Sequence, residues 1–125
     1  KELQKERRSQ LASSLPVATT SSGIHYCTSV VALPAGELRL LVDELSTRVP
    51  SGIIALGTQD GDKAHIFVKV SQDKVGNGIK ASELIKHALE IVEGSGGGKA
   101  EMAQGAGKAP QKIAEALRKL TSQLP

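Results

Sequence analysis

Two neighbouring runs with different hydrophobic periods limit the fold of this chain more than any other feature. Residues 53–58, IIALGT, form a short continuous apolar run, as expected of a strand covered on both faces. Asp60-Gly61 follows and supplies the positive-φ chemistry of a tight turn. Residues 64–71 then alternate, with Ala64, Ile66, Val68 and Val70 on one face. The pair predicts an antiparallel hairpin.

The segments around it switch to helical spacing. Residues 24–33, IHYCTSVVAL, read as a strand that Pro34-Ala35-Gly36 breaks. A helix is expected from about 36 to 48, with Leu38, Leu41, Leu45 and Val49 along one stripe. A second runs from about 80 to 93 and buries Leu84, Ile85, Ala88, Leu89 and Val92, stopping where Gly94 opens a glycine run. After an extended piece near 100–105, a last helix starts near Pro110 with Ile113, Leu117, Leu120 and Leu124 inward. Asn77-Gly78 reads as a turn. The order predicts an α/β fold, a small mixed β-sheet with helices packed against it. Ahead of it, residues 1–15 read as the end of a helical or coiled-coil segment, and Pro16 with the polar run to Gly23 marks a linker over 16–23. The globular domain is expected over 24–125.

Charge and side-chain type narrow the function. Residues 1–8 hold four basic and two acidic residues, 9–93 seven and nine, and 94–125 five and two, so the positive charge sits at the ends. A basic end segment suits a phosphate backbone, with a solvated helix face as the plain alternative. Tyr26 and Phe67 are the only aromatic residues, which argues against single-strand recognition by base stacking. The lone Cys27 rules out an intramolecular disulfide framework, fits a reducing, cytoplasmic setting (an organellar form reads alike), and is expected in the core. No run approaches the ~18 apolar residues of a membrane helix. The chain opens on Lys1 within a charged stretch, and we read it as a piece of a longer protein.

The stretch 94–107 holds six glycines, Gly94, Gly96, Gly97, Gly98, Gly105 and Gly107. Three in a row let backbone amides approach a ligand closely and adopt positive φ, which suits a phosphate, and Lys99 directly after them adds a charge. A flexible linker is the plain alternative. P-loop spacing fails at both Gly-Lys pairs, because Glu93 and Met102 stand where glycine is needed and Ala100 and Ala109 where Ser or Thr is needed. Gly76-Asn77-Gly78 with Ala81 fits a loose dinucleotide pattern but follows a hairpin strand. His25, His65 and His87 are scattered, and no spacing fits a zinc site or a nucleophile–base pair. The residues point to a binding module with no catalytic group, metal or cofactor of its own.

The dozen residues from Gly96 to Gly107, GGGKAEMAQGAG, sit within the longer segment from Ala81 to Leu120. Together with AHIFVKVSQD and KASELI upstream, that segment resembles the C-terminal end of bacterial-type alanyl-tRNA synthetases, over about residues 24–124. The resemblance implies a DHH-associated domain, akin to the substrate lobe of DHH-type phosphoesterases such as the RecJ exonuclease. There the glycine triplet is usually followed by His, and Lys99 stands in its place here. It further implies binding to the elbow of tRNA, helping one tRNA serve the aminoacylation and editing centres of a parent ligase whose ATP, magnesium and zinc sites lie elsewhere. RNA-binding candidates on this reading are Gly96, Gly97, Gly98, Lys99, Gln104, Gly105, Gly107, Lys108, Lys112 and Lys119. Two alternatives stand beside it: an assembly module that makes a homodimer through the last helix or a strand edge, and the substrate lobe of a phosphoesterase.

Overall fold

The computed structural model describes Gln10 and residues 17–20, 23–31, 35–48, 51–76 and 78–122. The expected helical segment over 1–15 lies outside them, Gln10 excepted. The hairpin forms as its pattern requires: β3 (Ile53–Asp60) pairs with β4 (Lys63–Val70) in register from Ile53↔Val70 to Asp60↔Lys63. Gly61, at φ 67, takes the first loop position, which a glycine fills without steric cost.

Before the hairpin come β1 (Ala18–Thr19), β2 (His25–Val30) and helix α1 (Ala35–Arg48). β2 runs parallel to β3, and α1 makes the crossover between them. After the hairpin come a short helix α2 (Gln72–Gly76), helix α3 (Ala81–Ile91), β5 (Gly94–Gly98), β6 (Met102–Gly107), a 3₁₀ turn at Pro110–Lys112 and helix α4 (Ile113–Ser122). The strands form one mixed sheet in the order β1-β2-β3-β4-β6-β5.

Alternation in the strands sorts two cores. Ile53, Ala55, Ala64, Ile66, Val68, Val70 and Ala103 meet Leu84, Ile85, Ala88 and Leu89 of α3 and Ile113, Leu117 and Leu120 of α4. On the other face, Cys27, Ile54, Leu56 and Phe67 meet Leu38, Leu41, Val42 and Leu45 of α1. β3 feeds both cores, which explains its unbroken apolar run. α1 covers only the β2–β3–β4 part of its face, and the β6–β5 end of that face is left open.

The glycine run departs from expectation. Gly94–Gly98 is neither a bend nor a linker but an edge strand, paired antiparallel with β6 from Gly94↔Gly107 to Gly98↔Ala103. None of its glycines has positive φ. The positive φ that ends α3 falls one residue earlier, on Glu93 at 57°. Most of the glycines are there for close approach: a Cβ at Gly96 would lie 2.5 Å from the Gln104 carbonyl oxygen and from the Gly105 Cα, and one at Gly105 would lie 2.7 Å from a Leu89 methyl. Those at Gly98 and Gly107 would strike Met102 and Val92. At Gly97 a Cβ would meet nothing within 4 Å. α2 and β1 have no counterpart among the expected elements, and β1 lies inside the expected linker.

Candidate nucleic-acid interface

The open half-face is built from alternate residues of three strands. β4 contributes Lys63, His65, Phe67 and Lys69, opposite in parity to its buried Ala64, Ile66 and Val68. β6 contributes Met102, Gln104 and Ala106, and β5 contributes Ser95 and Gly97. Register aligns these into rows across the sheet: Phe67, Gln104 and Gly97 in one, His65, Ala106 and Ser95 in the next. α1 stands as a wall along one side.

The result is a shallow trough along β6. At one end a groove of about 240 Å³ is lined by Arg39, Phe67, Gly97, Gly98, Lys99, Glu101, Met102 and Gln104. It continues through Phe67 and Gln104 into a hollow of about 270 Å³ that adds Leu38, His65 and Ala106. Beyond Ala106 a third hollow carries Lys63, Glu93, Ser95 and Lys108. Six residue steps separate Met102, beside Lys99, from Lys108, so cations stand ~20 Å apart at the two ends.

Both ends are held by the backbone. The Lys99 N–H donates to the Met102 carbonyl at 2.7 Å, closing the β5–β6 turn. The Val70 N–H donates to the Glu101 carbonyl at 2.8 Å, and the Ala81 N–H donates to the Ala100 carbonyl at 2.7 Å, so the turn that carries Lys99 is tied to β4 and α3. At the far end the Ala109 N–H donates to the Val92 carbonyl at 3.0 Å. A surface positioned this way orders little on binding, which lowers the cost of association.

Of the sequence candidates, Gly97, Lys99, Gln104 and Lys108 meet in the trough. Gly96, Gly98, Gly105 and Gly107 hold β5 close to β6 and α3, and Gly98 and Gly107 also border the hollows. Lys112, in the 3₁₀ turn, and Lys119, on α4, belong to the layer that packs on the opposite face. Arg39, His65 and Phe67 were missed. For His65 and Phe67 the signal was present, since they alternate with Ala64, Ile66 and Val68 and so share the other face of the strand.

The chemistry of the trough is that of contact. Phe67 is only 3% exposed, so it floors the groove and offers no face for a base to stack on. Lys69 pairs with Asp43 at 3.6 Å, joining α1 to β4. A polar hollow where α1 ends is self-satisfied: Ser51 donates to the Asp73 carboxylate, and the Gly52 N–H donates to Ser71. Hydrogen bonds from Ser51 and Ser71 hold the Asp73 carboxyl below the usual carboxylate range. Among the described residues no three metal-ligating side chains come together, and no helix is long and apolar enough to cross a membrane.

Cys27 is fully buried against the α1 side, as its sequence context predicted, and burial pushes its thiol pKa up. A buried thiol is a poor source of thiolate. Cys27 is therefore expected to ignore an aromatic disulfide reagent in the folded protein and to react stoichiometrically in guanidinium chloride, which an absorbance assay reads directly.

The six-stranded mixed sheet, with two helices packed on one face, one helix on part of the other, and a triglycine strand at its edge, defines a DHH-associated type of α/β domain. The chain belongs to the DHHA1 domain family, whose model matches residues 23–124. It is 40% identical over 116 residues to an alanine–tRNA ligase of Alkaliphilus oremlandii (strain OhILAs), an alignment that spans 88% of this chain and 13% of that ligase. The chain thus corresponds to a small fraction of the length of such relatives. It is also similar to the C-Ala domain of Aquifex aeolicus alanyl-tRNA synthetase, with a TM-score of 0.75 and 29% identity over 86% of this chain and 96% of that one. The resemblance read from the sequence is borne out. RecJ of Thermus thermophilus shares the fold at 15% identity, with a TM-score of 0.61 over 97% of this chain and 17% of that one.

Proposed function

We propose that this chain is the C-terminal tRNA-binding module of an alanine–tRNA ligase, gripping the elbow of tRNA by contour and phosphate contacts and making no bonds itself. The observation that carries the reading is the uncovered half-face of the sheet. There backbone lies bare at Gly97, an amide is presented by Gln104, and two cations flank them, Lys99 on a tethered turn and Arg39 on α1. A folded RNA corner is met by shape and by sugar–phosphate contacts, for which stacking residues are not needed. Gln104 hydrogen-bonds the RNA, Lys99 and Arg39 meet phosphates, and Lys112 and Lys119 add to the long-range field from the other layer. Held in this way, one tRNA stays within reach of both the aminoacylation and the editing centres of the parent ligase.

Titrating labelled tRNA with the chain at two potassium chloride concentrations tests this. Folded tRNA is expected to bind about tenfold more tightly than heat-unfolded tRNA, a difference of about 1.4 kcal/mol. Its affinity should fall with salt at a log–log slope near −2 or steeper, from two or more phosphate contacts at ~0.7–0.9 each. Equal binding of unfolded tRNA, or no salt dependence, contradicts the reading. Assembly through a sheet edge is a second reading, favoured by β5, which ends the sheet with no charged or proline residue guarding it. A tight dimer in sedimentation that ignores tRNA would decide for that second reading.

A further inference from the structure

At the far end of the trough two lysines share one hollow, with Asp60 across the β3–β4 ladder from the first of them. Lys63 opens β4 and Lys108 follows the last residue of β6. The two lysines flank Ala64↔Gly107, the last pair of the β4–β6 ladder. Both line a hollow of about 510 Å³ whose floor is made of small groups, Ser95, Ala106 and Gly107. Neither lysine has an ion-pair partner among the described residues, and Glu93, the one carboxylate lining the hollow, pairs with neither. Two ammonium groups held on one hollow repel each other. The cost is recovered when an anion sits between them.

We infer that Lys63 and Lys108, over Ser95, form a second phosphate subsite for a phosphodiester of bound RNA. The RNA strand then lies along β6 and is held at two points, by Arg39 and Lys99 at one end and by this lysine pair at the other. The span of ~20 Å corresponds to about six nucleotides at a stacked rise of ~3.4 Å. The inference rests on the RNA-binding reading above, and it adds Lys63, the hollow and the direction of the strand. Because the neighbouring hollows share Ala106 as a wall, the two ends are placed to act on one ligand.

The test uses the whole chain, folded tRNA and a series of salt concentrations, comparing the parent with K63A/K108A, R39A/K99A and the control K86A on the outer side of α3. K63A/K108A is expected to lower the salt slope by about 1.5 and weaken binding about thirtyfold at 0.1 M salt. Its unfolding midpoint at low salt should stay level or rise, since the repulsion is gone, and K86A should behave as the parent. A K63A/K108A protein with parental slope and affinity, beside a weakened R39A/K99A, overturns the second subsite and leaves the RNA reading intact. A parent chain that does not bind folded tRNA overturns both. Inorganic phosphate supplies the last arm. Saturable amide shifts at Ser95, Gly107 and Lys108, together with a tRNA slope that K63A/K108A leaves unchanged, would assign the hollow to free phosphate and overturn the diester assignment.

Discussion

Gly96→Val is expected to lower the unfolding midpoint by about 12–15 °C, while Gly97→Val, one residue along, shifts it by no more than ~2 °C. The reason lies in what each added side chain meets. At Gly96 even the first carbon falls 2.5 Å from the Gln104 carbonyl oxygen and the Gly105 Cα, which are backbone and cannot swing aside. β5 must then part from β6, at about 3 kcal/mol for an overpacked site, and a domain of ~100 residues loses roughly 4–5 °C per kcal/mol. At Gly97 the φ is not positive and the space is open, so valine suits an edge strand and narrows the unfolded ensemble. The same Gly97→Val protein, stable as it is, should lose most of its affinity for folded tRNA, because the branched side chain stands where the RNA backbone lies. Thermal denaturation followed by a binding titration on both proteins reads the contrast. Equal midpoints, or parental RNA binding by Gly97→Val, would show that the glycine edge has been misassigned.

Reversing charge at the near end of the trough should have the largest effect on binding. The Arg39→Glu/Lys99→Glu protein is expected to bind folded tRNA at least about sixtyfold more weakly at 0.1 M salt. Each lost phosphate contact accounts for roughly an eightfold loss there, from a slope of ~0.9 per contact, and the new carboxylates add repulsion. Both side chains are on the surface, so the midpoint should hold. A protein reversed at Lys112 and Lys119, which sit in the opposite layer, should lose no more than a few-fold through the long-range field, and that remainder should vanish in high salt. Similar losses from the two reversals would mean that the RNA also meets the helical layer.

Much of this fold could be read from residue order because its main elements carry their own period. The hairpin, α1 and α3 each have a stripe or an alternation that a core then buries. β5 carried no such signal. Gly94-Ser95-Gly96-Gly97-Gly98 has almost no side chains, hence no hydrophobic period, and its conformation is set by pairing with β6 and by the nearness of Leu89 and Val92. Three glycines read as freedom to turn; here they serve close packing in an extended strand. The positive φ went to Glu93 for a related reason: the chain reverses directly after Val92, the helix C-cap, so that Gly94 can enter the sheet.

The site divides along similar lines. Gly97, Lys99, Gln104 and Lys108 were legible because they share one short segment. His65 and Phe67 were legible in principle, as the second face of a strand whose first face had been read. Arg39 was not, since its place beside Lys99 depends on how α1 crosses the sheet. Lys112 and Lys119 were grouped with Lys108 by helical spacing, but Lys108 directly follows β6, ahead of the helix, and the layer order separates them.

The most direct test of the central idea, that folded RNA lies on the open half of this sheet, is amide shift mapping of the isotope-labelled chain as folded tRNA is added. The changes are expected to concentrate on Ser95, Gly97, Lys99, Gln104, Ala106 and His65, with the outer positions of α3 and α4 near Lys86 and Lys119 unmoved. Changes centred on those helices, with β5 and β6 silent, would contradict it.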